Sequence, residues 1–339
     1  MKNIYQWPLW HWHFEITSAC TLKCPRCSRT ELPEQLVISS LNLDFFKKNF
    51  TQDIVAQMKR ITFCGYDGDP IYNKEFIEIC AYFKQIKPDL ELYIVTNGSY
   101  KSSDWWMSLG SVLNEYDQIH FSLDGWDQAS NEKYRINSNW QSILDGIETL
   151  RSEPVRLVWD MIYFDFNYKK HELMTDMAKK LGFDAIRKTK SNKFNFFYNS
   201  YDLDLQPPKD FISPNGRFES KTTFLTNKPI HDSSFDTALG IYSQMDTNQE
   251  IVPLCKIGTK GLFVDSQGYF YPCCWIINKY DPEHYSAWLT EDKNIKKSGL
   301  ENVLNNLFWS SFLANISTMS ICKSKCNSHE VNKKTIGKW

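Results

Sequence analysis

The chain has 339 residues, 42% of them hydrophobic, with 39 basic and 40 acidic side chains and a net charge of −1. That is the composition of a folded protein of one large domain or two smaller ones, with no global basic field to recruit nucleic acid or an anionic membrane surface. The first ten residues, MKNIYQWPLW, lack the apolar run and cleavage site of a secretory signal, and no stretch is apolar enough to cross a bilayer, so the ten cysteines point to a reducing, cytoplasmic setting in which thiols bind metal or do chemistry.

In chain order, Leu9 to Thr17 alternates as a strand, with Trp10, Trp12, Phe14 and Ile16 on one face and His11, His13, Glu15 and Thr17 on the other. The second face reads as polar lining of a substrate cavity, with a His-x-His-x-Glu metal site as the weaker alternative. A cysteine loop follows, and then Leu41 to Met58 reads as a helix. Lys59 to Cys64 is a strand ending in Gly65-Tyr-Asp-Gly-Asp-Pro70, and Lys74 to Ile86 carries a helical apolar stripe. Glu91 to Thr96 is a strand ending in Asn97-Gly98. Ser103 to Leu113 is helical, with Ser102 or Ser103 as its N-cap. Gln118 to Leu123 is a strand ending in Asp124-Gly125, followed by a helix over Trp140 to Arg151. Val155 to Phe164, Lys169 to Leu181 and Ala185 to Lys190 complete the series as strand, helix and strand. Strands alternating with helices predict βαβ units and a parallel sheet, whose ligands gather at the C-terminal strand ends. The unusual sequences of this chain stand at those ends.

Residues 191–250 lose regular periodicity and read as an irregular connecting or covering segment. Beyond Cys255, Gly261 to Val264 and Gly268 to Pro272 predict a hairpin that ends in Cys273 and Cys274, with Cys322 and Cys326 far along the chain.

The densest chemistry is Cys20-Thr-Leu-Lys-Cys24-Pro-Arg-Cys27, a C-x3-C-x2-C run directly after the first strand. Three thiolates at this spacing suit three corners of a [4Fe–4S] cubane and leave one iron open, whereas a closed zinc site requires a distant fourth ligand. The late cysteines count equally well for a structural zinc site or a second cluster.

The first motif, with the strand-end sequences that follow it in order, resembles the radical S-adenosylmethionine (radical SAM) family. The resemblance implies a partial (β/α)6 TIM-like barrel over residues 1–190, with Cys20, Cys24 and Cys27 holding a SAM-binding [4Fe–4S] cluster. In Gly65 to Pro70, Gly68, Asp69 and Pro70 match the family's Gly-Gly-Glu-Pro motif with Asp for Glu, next to the SAM amino group. Asn97, Ser122 and Asp124 resemble further strand-end SAM contacts, the last two toward ribose or methionine. Arg135 resembles an arginine that pairs with the SAM carboxylate. Arg26 departs from the family, which often has an aromatic residue before the third cysteine. Cys255-x12-Gly268-x4-Cys273 resembles the opening of a SPASM or twitch extension, which implies a hairpin-plus-helix domain over 251–339. Its single auxiliary [4Fe–4S] cluster would be held by Cys255, Cys273, Cys322 and Cys326. Cys64 and Cys80 are read as packing residues.

The function implied is reductive cleavage of SAM and hydrogen abstraction from a peptide or small metabolite, for oxidation or another modification. An external one-electron donor such as flavodoxin or ferredoxin is the expected partner. Candidate bases are Glu15, His13, His120 and Asp160; in an epimerase, Cys274 would be the hydrogen donor. The chain enters its first strand almost at once, an expectation against a leader-binding domain ahead of it. The rival readings are a non-catalytic zinc or iron–sulfur scaffold and a nucleic-acid-modifying radical enzyme.

Overall fold

The computed structural model describes residues 7–190, 205, 221–229, 233–244 and 251–326. Much of the segment expected to be irregular, 191–250, lies outside the described residues. Nine strands are seen among the described residues: β1 (His11–Phe14), β2 (Arg60–Phe63), β3 (Glu91–Thr96), β4 (Gln118–Ser122), β5 (Arg156–Tyr163), β6 (Ala185–Lys190), β7 (Lys221–Phe224), β8 (Leu262–Val264) and β9 (Phe270–Tyr271). Two compact units divide the chain: Met1–Ala19 with Val37–Leu92 and His231–Trp339, and Cys20–Leu36 with Tyr93–Ile230. This grouping is not consecutive, unlike the three segments expected from sequence; residues 37–92 join the C-terminal part in the first unit.

In the first unit β1 is central, parallel to β2 on one side and to β8 on the other. The expected hairpin is present: β8 and β9 pair antiparallel, turning through Asp265 to Gly268, whose φ is +95°. Trp12 and Phe14 stack nearly parallel, with ring centroids 5.8 Å apart, and meet Phe46 and Phe50 edge-on. A fully buried aromatic side chain contributes roughly 1.5–3 kcal/mol over an exposed one, so this cluster is a main anchor of the unit. It also explains a departure from the expected helix over Leu41 to Met58. The helix is split into Leu43–Asn49, capped by Asn42, and Gln52–Ala56. The break turns Phe50, fully buried, onto Trp12 and Phe14.

In the second unit, β3 to β6 are parallel and β7 closes the edge antiparallel to β6. Helices Ser103–Gly110, Trp140–Leu150 and His171–Leu181 follow β3, β4 and β5. The expected Ser102 cap is present, its hydroxyl accepting from Trp105 N–H at 3.3 Å. The helix expected over Lys169 to Leu181 starts at His171 and stops at Gly182, whose φ of +86° is the left-handed C-cap that glycine tolerates. Trp106, Phe121, Trp159 and Phe183 are fully buried and form the core behind the sheet. No helix among the described residues is long and apolar enough to cross a membrane.

Candidate functional site

The first cysteine loop belongs to the second unit, with Cys20, Cys24 and Cys27 all half-buried. The loop is fastened by its backbone: Lys23 N–H donates to Ile136 O at 3.0 Å, and Asn137 Nδ2 to Thr21 O at 2.8 Å. Cys20 Sγ accepts from Leu22 N–H at 3.4 Å and from Asn97 Nδ2 at 3.7 Å. Asn97 is held in turn by its own Oδ1, which accepts from Ser99 N–H at 2.9 Å. Burial pushes the Cys24 thiol up to about 11, against the pull of the Arg135 guanidinium beside it.

Arg135 is oriented from behind. Its Nε donates to Asp124 Oδ2 at 2.7 Å, and its guanidinium carbon lies 5.2 Å from the Tyr134 ring centre. Asp124 is fully buried, and its other oxygen accepts from Ile162 N–H at 2.7 Å. With each carboxylate oxygen engaged inside the protein, Asp124 orients Arg135. The chain then turns so tightly at Gly125 that a Cβ there would lie 2.1 Å from Asn131 N. Ser122, half-buried, ends β4 opposite Asp160. Arg26 is almost fully buried in the cysteine loop.

A polar row crosses the same sheet. His120 Nδ1 lies 3.2 Å from both carboxylate oxygens of Asp160, and its Nε2 lies 3.2 Å from Gln118 Oε1. Arg187 grips Asp160 in a bidentate pair, its Nε donating to Oδ1 at 2.8 Å and its Nη2 to Oδ2. Burial alone would raise the Asp160 carboxyl, but Arg187 and His120 outweigh it and hold the group at about 2. A carboxylate held this low by its ion pairs has little affinity for a proton. Arg187 was missed by sequence reasoning; it stands on β6 directly opposite Asp160.

In the first unit, Glu15 is also committed. Its Oε1 accepts from the backbone N–H of Asp67 at 2.6 Å and of Gly68 at 3.1 Å, so it clamps the Gly65–Pro70 loop from beneath. Burial, with Asp67 and Asp265 nearby, pushes its carboxyl up to about 8. Glu15, a base candidate in the sequence, thus has one carboxylate oxygen committed to this loop. His13 is buried with Nε2 3.0 Å from Cys64 O, and burial lowers it to about 4, which keeps the ring neutral. Gly65 and Gly68 are required by closeness: a Cβ would lie 1.9 Å from Gly68 O and 2.0 Å from Thr17 O, respectively. Asp69 is buried, donates its N–H to Ala19 O at 3.0 Å, and accepts from Ile71 N–H at 3.3 Å as Pro70 opens a short 3-10 turn.

The late cysteines also lie in the first unit. Cys273, Cys322 and Cys326 line one small apolar cavity with Leu254, Trp275 and Ile276. Cys255 is buried within electrostatic reach of Cys326, Cys322 and Cys273. The cavity lining includes Cys273 but not Cys274, which opens a short 3-10 turn over Cys274–Ile276. Cys80 is fully buried, as expected of a packing residue, whereas Cys64 is half-buried at the end of β2. Among the described residues, no group of three or more His, Cys, Asp or Glu is gathered closely enough to hold a single metal ion. The donor chemistry of the first cysteine loop suits a polynuclear iron–sulfur group. The loop thiols are half-buried, and one sulfur already accepts two N–H bonds of the kind that tune cluster sulfurs.

The family model described as the Radical SAM superfamily matches residues 14–178. No curated protein sequence matches the chain. Among solved structures, Streptococcus suis SuiB bound to S-adenosylmethionine is 12% identical with a TM-score of 0.60, covering 94% of this chain and 72% of that one. SuiB bound to its precursor peptide SuiA is 14% identical at TM-score 0.55, covering 94% and 76%. Native anSMEcpe with bound AdoMet and Cp18Cys peptide is 15% identical at TM-score 0.58, covering 95% and 91%. At these identities the likeness establishes the fold, a parallel α/β sheet of the open, partial TIM-barrel kind. It is on that fold that residues 14–178 match the radical SAM model.

Proposed function

We propose that this chain is a radical SAM enzyme that modifies a peptide by oxidation, with SAM-binding and auxiliary [4Fe–4S] clusters. The observation that carries the reading is the C-x3-C-x2-C loop, held with Asn97 on Cys20 and Arg135 beside Cys24, inside a domain matched to the superfamily. Peptide is preferred over a small metabolite because SuiB and anSMEcpe are known with peptides bound. When bound, the clusters and SAM supply the one-electron chemistry: reductive SAM cleavage, hydrogen abstraction by a 5′-deoxyadenosyl radical, and a sink for the second electron.

The chain's own residues do the rest. Cys20, Cys24 and Cys27 hold the first cluster, and Cys255, Cys273, Cys322 and Cys326 the auxiliary one. Arg135, fixed by Asp124, offers a cation for the SAM carboxylate. Glu15 fixes the loop that carries Gly68, Asp69 and Pro70 toward the SAM amino group. Of the base candidates, His120 is preferred: Asp160 orients its ring at Nδ1, and Nε2 takes up a proton once its contact with Gln118 Oε1 opens. The reducing electron comes from an external donor of the flavodoxin or ferredoxin class.

The test is 5′-deoxyadenosine release by anaerobically reconstituted protein with reductant, SAM and a peptide library. Release that requires all three loop cysteines, with a peptide that loses two hydrogens, is the expected result. His120→Gln is expected to cut peptide product about 100-fold while 5′-deoxyadenosine still forms. Reconstituted protein that releases no 5′-deoxyadenosine would sink the proposal.

A further inference from the structure

One buried ion pair in the first unit has no counterpart in the motif it touches. Aligned on Gly68, Asp69 and Pro70, the loop carries Asp67 where the resembled motif has its first glycine. A carboxylate placed there would normally be a liability, because it is buried beside Glu15 and Asp265 in a small cavity. The structure supplies a cation for it. Lys279, only 5% exposed, reaches Asp67 Oδ2 with its ammonium. The same ammonium lies 5.7 Å from the Tyr66 ring centre and 5.6 Å from that of Tyr285. Lys279 therefore holds two consecutive residues of the loop, Tyr66 by its ring and Asp67 by its carboxylate. It comes from the segment that follows Cys273 and Cys274, remote in sequence from the loop.

We infer that Lys279 is a positioning residue for SAM: delivered by the C-terminal segment, it neutralises Asp67 and, with Glu15 beneath, fixes the Gly65–Pro70 loop in its binding form. The inference rests on the reading of that loop as a SAM contact. It adds that SAM affinity in this chain depends on a residue of the C-terminal segment. Glu15 holds the backbone of Asp67 and Gly68, whereas Lys279 holds the Tyr66 and Asp67 side chains, so the loop is gripped at separate points. Both grips lie next to Asp69, whose N–H is itself tied to Ala19 O.

The test uses the reconstituted full chain and SAM itself, with affinity read by isothermal titration and iron per chain measured alongside. Lys279→Met is expected to weaken SAM binding about tenfold or more with iron content unchanged, because it strands a buried carboxylate. Lys279→Arg, which keeps the charge, is expected to stay within about threefold of wild type. Adding Asp67→Gly to Lys279→Met removes the stranded charge and is expected to recover most of the loss, a coupling that general destabilisation would not produce. SAM binding by Lys279→Met within about twofold of wild type overturns the inference, as does a defect that Asp67→Gly leaves untouched. If Lys279→Met does not fold, Asp67→Gly is compared with the double variant: tighter binding by the double variant supports the inference, and equal binding overturns it. Iron-loaded wild type that binds no SAM would overturn the SAM reading itself, an outcome distinct from an inert Lys279.

Discussion

Asp160 is tied to the protein by its ionised form. Arg187 and His120 pair with the carboxylate, not with the acid, and hold it at about 2 against a usual 3.8. A depressed carboxyl contributes stability above its unfolded pKa, and that contribution is lost as pH falls through the folded value. The window here runs from about pH 4 down to about pH 2, and the contribution at neutral pH is about 2 kcal/mol. Asp160→Asn is therefore expected to lower unfolding stability by about that amount at pH 7, and by much less near pH 2. Urea denaturation of the apo-protein at the two values checks it; an equal loss at both would contradict the ion-pair account. Glu15 shows the opposite sign, with its carboxyl raised to about 8, so its ionisation costs stability as pH rises from about 4.5 toward that value. Both carboxylates were base candidates on expected strands in the sequence. Their environments separate them.

At the scale of elements, the strands and their ends were legible. β3 and β6 occupy the expected residues, and most other elements differ only by frayed ends. The glycines of the strand-end loops were also legible as special, and the structure supplies the reason in contact distances. Gly68→Ala is the sharp case, since its Cβ would press to 2.0 Å from Thr17 O and the loop must move. It is expected to weaken SAM binding at least about tenfold while leaving iron content unchanged, because the cysteine loop is a separate element. Unchanged affinity would show that this loop does not contact SAM. What could not be read were partners supplied from distant sequence. Nothing local marks Lys279 as the partner of Asp67, or Asp184 as the partner of Lys228. Nor does a helical stripe reveal that Phe50 must turn into the core and split its helix. The burial of Asp124 and its hydrogen bond from Ile162 could not be read either, because both are tertiary facts.

At the scale of the molecule, two cysteine sets divide between the two compact units: Cys20, Cys24 and Cys27 in one, Cys255, Cys273, Cys322 and Cys326 in the other. The account assigns a cubane to each, the first with an iron left open for SAM and the second closed by four thiolates. Its central claim is tested most directly by counting iron and sulfide per chain after anaerobic reconstitution, for wild type and for the variant Cys20→Ala/Cys24→Ala/Cys27→Ala. Two cubanes predict about eight irons in wild type and about four in the variant. About four irons in wild type and none in the variant would remove the auxiliary cluster and the oxidation assigned to it. No iron in either protein would contradict the account as a whole.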